Sequence, residues 1–149
     1  MMTRRSCPRG VPVSSPDLLP EQRLDLLESA DNALAISVAR HFAREMGFDD
    51  SQEFLIATAV SELATNILRY AGKGQMTFRV VEAGGRLGME VVAIDGGPGI
   101  ADIEKAMADH YSTGDSLGLG LPSVRRIMDS FQVESRPGLT ICVGRKWRE

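Results

Sequence analysis

The chain has 149 residues, with 17 Lys and Arg against 20 Asp and Glu for a formal charge of -3. That length fits one domain with a core large enough to need no metal or disulfide support, and the slightly acidic balance offers no blanket basic field for nucleic acid. Cys7 and Cys142 match no CxxC or zinc spacing, no secretory leader is evident, and no apolar run approaches the ~18 residues that cross a bilayer, so a cytoplasmic protein without nucleic-acid or membrane partners is expected.

Residues 1–20 carry four prolines and Arg4, Arg5 and Arg9 without periodicity, which reads as a disordered leader before a domain spanning 21–149. Gln22 to Glu28, with Leu24, Leu26 and Leu27, is read as an edge strand. Asp31 is a plausible N-cap for a helix whose apolar residues Leu34, Val38, Phe42 and Met46 repeat every four positions until Gly47. Asp49, Asp50 and Ser51 supply caps for a second helix running to about Tyr70, apolar through Phe54, Leu55, Ile56, Ala59, Val60, Leu63 and Ile67.

In the middle of that apolar helix stand Glu62 and Asn66, four apart and therefore on one face. A carboxylate and a carboxamide at that spacing suit one proton and one hard cation: Glu62 as a general base and Asn66 Oδ1 as an Mg²⁺ ligand. The competing reading is a surface stripe shared with Thr58 and Arg69.

Gln75 to Glu82 and Leu87 to Asp95 alternate apolar and polar residues across Gly84 and Gly85, the pattern of a β-hairpin. The second strand ends on Asp95, followed by Gly96, Gly97, Pro98 and Gly99. An ionised Asp only accepts hydrogen bonds and the adenine amino group only donates them, so Asp95 is a candidate purine reader beside a backbone that lets a flat ring approach. Ile103 to Leu117, broken by Gly114, is a segment able to fold over a bound nucleotide. Gly118 and Gly120 precede a helical pattern at Leu121, Val124, Met128 and Phe131, where helix-end amides favour phosphate. Taken singly, the first glycine motif reads equally as a strand-to-helix turn and the second as a helix cap. Lys105, Arg125 and Arg126 are either phosphate neutralisers or ordinary exposed charges. Gln132 to Ser135 and Leu139 to Trp147 form a closing hairpin around Pro137 and Gly138, with Thr140, Cys142 and Gly144 on one face.

In this fixed order, Glu62 and Asn66, then Asp95, Gly97 and Gly99, then Gly118 and Gly120, then Thr140 on a strand resemble the GHKL ATP-binding domain shared by gyrase, the large heat-shock chaperone, histidine kinases and MutL. The segments SELATNILRYAGKGQ, DGGPGIADIEKAM, YSTGDSLGLGLPSVRRIMDSF and KWRE are more specifically similar to the RsbT-type serine kinases of the bacterial stressosome, over roughly residues 24–149. The resemblance implies an α+β two-layer sandwich, a mixed but mostly antiparallel sheet with helices on one face. It also implies ATP and Mg²⁺ as cofactors: Glu62 as catalytic base, Asn66 on the metal, Asp95 on adenine, and Gly97 and Gly99 shaping the adenine pocket. Gly118 and Gly120 would receive phosphates and Thr140 would support Asp95 or adenine. The partners it implies are a STAS-domain antagonist protein, phosphorylated on serine, and a PPM-type phosphatase that the released kinase binds and activates. Absence of a GxxxxGK[ST] loop excludes a P-loop enzyme. Within the same fold the alternatives are an anti-sigma factor kinase, a histidine-kinase fragment and a non-enzymatic nucleotide-gated module; the fragment lacks a preceding phosphoacceptor hairpin, and a pure binder needs no base.

Overall fold

The computed structural model describes residues 19–108 and 120–148. Most of the expected leader, Gly118 and the distal part of the segment expected over the nucleotide lie outside the described residues. Leu19 already packs against the core.

Five strands, β1 (Gln22–Leu26), β2 (Gly74–Ala83), β3 (Arg86–Asp95), β4 (Ser130–Arg136) and β5 (Leu139–Trp147), form one sheet in the order β1-β2-β3-β5-β4. All four pairings are antiparallel. The helices are α1 (Ala30–Met46), α2 (Asp50–Asn66), α3 (Ile103–Ala106) and α4 (Leu121–Ile127); α2 continues into a π turn over Ile67–Ala71. Period-two alternation places Met76 and Phe78 of β2, Met89, Val91 and Ala93 of β3, and Thr140, Cys142 and Gly144 of β5 on the buried side. There α1 meets β1 and β2, α2 meets β3, and α4 meets β4 and β5. The result is the expected α+β sandwich of two layers.

Local chemistry explains most of the boundaries. Asp49 caps α2 in a capping box, accepting from the Gln52 amide at 2.8 Å while the Gln52 side chain accepts from the Asp49 amide. Gly47 ends α1 in the left-handed region, at φ 95°. Asp31 does not cap α1, as its position suggested. The helix begins at Ala30, two residues before an Asp31 cap would start it, and the Asp31 carboxylate reaches back to accept the amides of Leu27 (2.8 Å) and Glu28 (3.1 Å), pinning the chain where it leaves β1.

Three apolar assignments are also corrected. Leu34, read as core, is half exposed, because the buried stripe of α1 is Ala35, Ala39, Phe42, Ala43 and Met46. Small side chains let α1 lie close against α2. Phe54 and Leu55, read as core of α2, are 66% and 38% exposed; the inward face there belongs to Glu53, Ile56 and Ala57. Glu53 is buried because Arg40 and Arg44 of α1 each donate to it at 2.8 Å, and hydrogen bonds from Arg44 and then Arg40 hold its carboxyl below the ordinary range. Finally, Phe131 lies in β4 and not on the last helix, since α4 ends at Ile127 and Met128 is extended.

The open face of the sheet carries a second buried carboxylate, Glu90 of β3, between Arg79 of β2 and Arg145 of β5. Burial alone would raise its carboxyl, but the hydrogen bonds from Arg79 and Arg145 outweigh that and hold it low.

Candidate active site

A cavity of about 400 Å³ opens between α2 with its π turn, the ends of β3 and β5, and the segment from Pro98 to Lys105. That volume lies within the range of small-molecule sites. It exists because the sheet presents small side chains, Ala93, Thr140 and Cys142, where neighbouring inward positions hold Met76, Phe78 and Met89. Leu63 of α2, Ile67 of the π turn and Leu121, the first residue of α4, form its apolar walls.

At the sheet end Asp95 and Thr140 face each other across the β3–β5 register, and both line the cavity. Asp95 Oδ1 accepts the Gly97 amide at 2.9 Å, which fixes the carboxylate and leaves Oδ2 as the acceptor for a ligand donor. Thr140, 6% exposed, bonds Ser135 Oγ at 2.7 Å, and Ser135 Oγ accepts the Ile100 amide at 2.7 Å. The hydroxyl pair thus ties the β4–β5 hairpin to the loop that follows the glycines. Cys142 lines the same wall; burial, then the charge of Asp95, pushes its thiol up to about 12, so it is a neutral, unreactive surface at physiological pH.

The glycines serve the protein's own packing. A side chain at Gly97 would run into Ala71 of the π turn, 2.7 Å from its Cβ, and one at Gly99, at φ 89°, would meet the backbone of Arg136 at 2.7 Å. Gly99 lines the cavity; Gly97 does not, and acts by bringing the Asp95 loop onto the π turn. That turn, closed by the Gly72 amide on the Ile67 carbonyl at 2.9 Å, follows directly on Asn66 and carries Tyr70 to the cavity. Such bulges recur at functional sites.

Asn66 lines the cavity from α2. Glu62, one turn earlier and half buried, lies beside it with its carboxylate against the α-carbon of Gly120, the N-cap of α4. Among the described residues no three His, Cys, Asp or Glu side chains converge as a metal site. A carboxamide oxygen such as Asn66 Oδ1 is a hard donor of the kind that Mg²⁺ takes alongside phosphate and water. Of the candidate cations, Lys105 of α3 lines the cavity, whereas Arg125 and Arg126 are exposed on α4.

Sequence reasoning missed Ser135, Tyr70 and Cys142 as parts of the site. Ser135 was readable: a two-residue turn at Pro137 and Gly138 puts it opposite Thr140. Tyr70 was not, because its approach depends on the π turn.

The family model for the histidine kinase-like ATPase domain matches residues 27–144. The chain is 46% identical over 108 residues, 72% of its length and 81% of the relative's, to the serine/threonine-protein kinase RsbT of Bacillus subtilis (strain 168). The chain belongs to the histidine kinase-like ATPase domain family, among its RsbT-type serine/threonine kinases. It is also 35% identical over 119 residues, 76% of the chain and 82% of the relative, to an anti-sigma F factor of Thermoanaerobacter sp. (strain X514). A solved SiaB-SiaC complex from Pseudomonas aeruginosa includes a chain of the same fold, with TM-score 0.53, 13% identity, and coverage of 85% of this chain and 89% of that one. Membership implies that the chain uses ATP. Among the described residues no helix is long and apolar enough to cross a membrane.

Proposed function

We propose that this kinase transfers the γ-phosphoryl group of MgATP to a serine of a STAS-domain antagonist protein in the cytoplasm and, once released from it, binds and activates a PPM-type phosphatase. The observation that carries the proposal is the pairing on α2 of Asn66 in the cavity wall with Glu62 one turn away, in a cavity whose sheet end carries Asp95 and Thr140. Asp95 Oδ2 accepts from the adenine amino group. Asn66 would hold Mg²⁺ together with the phosphates, and the ion would supply charge neutralisation for the transferring group. Glu62 takes the proton of the acceptor serine as its Oγ bonds to the γ-phosphorus and the bond to the ADP oxygen breaks. Gly118 and Gly120 receive the phosphates in this reading, and Lys105 supplies a cation at the cavity wall.

The test is incubation with radiolabelled ATP, Mg²⁺ and purified STAS-domain proteins from the same cell. Label on a STAS serine is expected. Glu62→Gln, nearly isosteric but unable to take the proton, should keep nucleotide binding and phosphatase activation yet lose about 10²-fold or more in transfer. Near wild-type single-turnover transfer by this variant would remove Glu62 from the mechanism. The match to an anti-sigma F factor supports a second reading, in which the kinase also binds a sigma factor directly; a pull-down with purified sigma factors separates the two.

A further inference from the structure

We infer that Gly120 is a positioning residue for Glu62: its bare α-carbon is the seat against which the base's carboxylate rests, a role separate from receiving phosphate. The inference deepens the reading of Glu62 as base and rests on it. A Cβ built on Gly120 would lie 2.7 Å from Glu62 Cδ and 3.3 Å from Cγ, with Oε1 closer still. No other described glycine has a carboxylate as its nearest neighbour in this way; at Gly97, Asp95 Oδ1 stands third, behind two atoms of Ala71. Gly120 also caps α4 in the left-handed region, at φ 68°, and the next residue, Leu121, is fully buried and forms part of the cavity wall. The α-carbon is thus tied to packed structure on its C-terminal side. Glu62 is held in turn by α2, whose neighbouring residues Leu63 and Ala64 are buried.

Of the two groups that would collide, the flexible one is the glutamate side chain, so a methyl at 120 displaces the carboxylate and leaves the helices in place. Asn66 lies a turn further along α2, and the three atoms nearest the added methyl all belong to Glu62. The metal ligand and the base, carried by one helix, therefore respond differently to one methyl group at the neck of α4.

The test is a double-mutant cycle of Gly120→Ala with Glu62→Ala, read as single-turnover loss of the γ-phosphoryl group from radiolabelled MgATP with a purified STAS-domain protein present, counting transfer to protein and to water together. Strain at φ 68° and any effect of the methyl on phosphates occur in both backgrounds and cancel in the cycle. With Glu62 present, Gly120→Ala should slow the reaction about 10²-fold, the scale of a displaced catalytic group. With Glu62→Ala, the same methyl should slow the residual rate at least tenfold less than it does with Glu62 present, a difference beyond the roughly twofold scatter of independent sites. Calorimetric MgADP affinity should shift by the same factor in both backgrounds, which separates positioning of the base from binding. Equal rate losses in both backgrounds overturn the inference. If Glu62→Ala alone leaves the rate unchanged, the base reading itself fails, a result distinct from equal losses.

Discussion

Exchanging Asp95 for Asn should do more than weaken ATP binding; it should change which purine the kinase prefers. The Gly97 amide donates to Oδ1 at 2.9 Å, and in Asp95→Asn only the carboxamide oxygen can keep that bond. The Nδ2 donor is then turned to the position where Oδ2 met the adenine amino group, and two donors face each other. An unpaired group in a closed site costs roughly 1 to 3 kcal/mol, about 5-fold to 140-fold in affinity at 1.4 kcal/mol per decade. The neighbouring wall decides where in that range the loss falls. Asp95 is half-buried beside the buried Thr140 and Cys142, so solvent only partly fills the gap and the middle of the range is expected. Hypoxanthine carries an acceptor where adenine carries the amino group. Asp95→Asn should therefore gain inosine triphosphate binding relative to ATP. Calorimetry of ATP, ADP and inosine triphosphate with both proteins, beside denaturant unfolding to confirm the fold, reads this directly. ATP affinity within about twofold of wild type, or an unchanged ATP-to-ITP ratio, would refute the assignment of Oδ2 to the base.

Asn66→Ala should weaken ADP binding in the presence of Mg²⁺ and leave binding in EDTA nearly unchanged; equal losses under both conditions count against a metal-ligand role. Gly97→Ala should cost about 1 to 3 kcal/mol in denaturant unfolding, as overpacking does, and Ala71→Gly should recover much of it, because the added methyl meets Ala71. Glu90 has a lowered folded pKa, so the native state binds fewer protons than the unfolded chain between the two values; its stabilisation is present above the unfolded value of about 4.3 and disappears as pH falls through the folded one. The stability gap between wild type and Glu90→Gln should shrink accordingly on acidification, and a gap independent of pH from 6 down to about 3 contradicts the Arg79 and Arg145 pairing.

The strands were legible because alternation survives burial on one side only, and β2, β3 and β5 each keep one face against the helices. The second helix announced its start through Asp49, Asp50 and Ser51, and the reciprocal bonds that Asp49 makes with Gln52 are local. What was not legible is non-local or weakly hydrophobic. The stripe of Ala35, Ala39 and Ala43 gives little signal beside Leu34 and Val38, although close helix packing selects the small residues. Val124, Met128 and Phe131 keep helical spacing, yet no glycine or proline marks the end of α4. That end is imposed by pairing with β5: the Asp129 amide bonds the Arg145 carbonyl, and its carboxylate accepts the Trp147 amide. At the site, Asp95, Asn66 and Thr140 were found from residue type and order and do line one cavity. The packing role of Gly97 was hidden, because the residue it meets, Ala71, is placed by a π turn with no signature in composition.

The small side chains beneath the cavity also bear on the lifetime of the protein. Ala93, Thr140 and Cys142 leave a cavity where neighbouring core positions hold Met or Phe, and a nucleotide bound there, as proposed above, would add to the packing. A ligand that binds only the native state stabilises it by RT ln(1 + [L]/Kd), about 2.7 kcal/mol at 100 times Kd. In a well-fed cell the adenine nucleotide pool would thus act as a standing chaperone for the kinase. A cell drained of ATP and ADP would lose copies of the protein by unfolding and proteolysis, over and above the activity it loses for want of a phosphate donor.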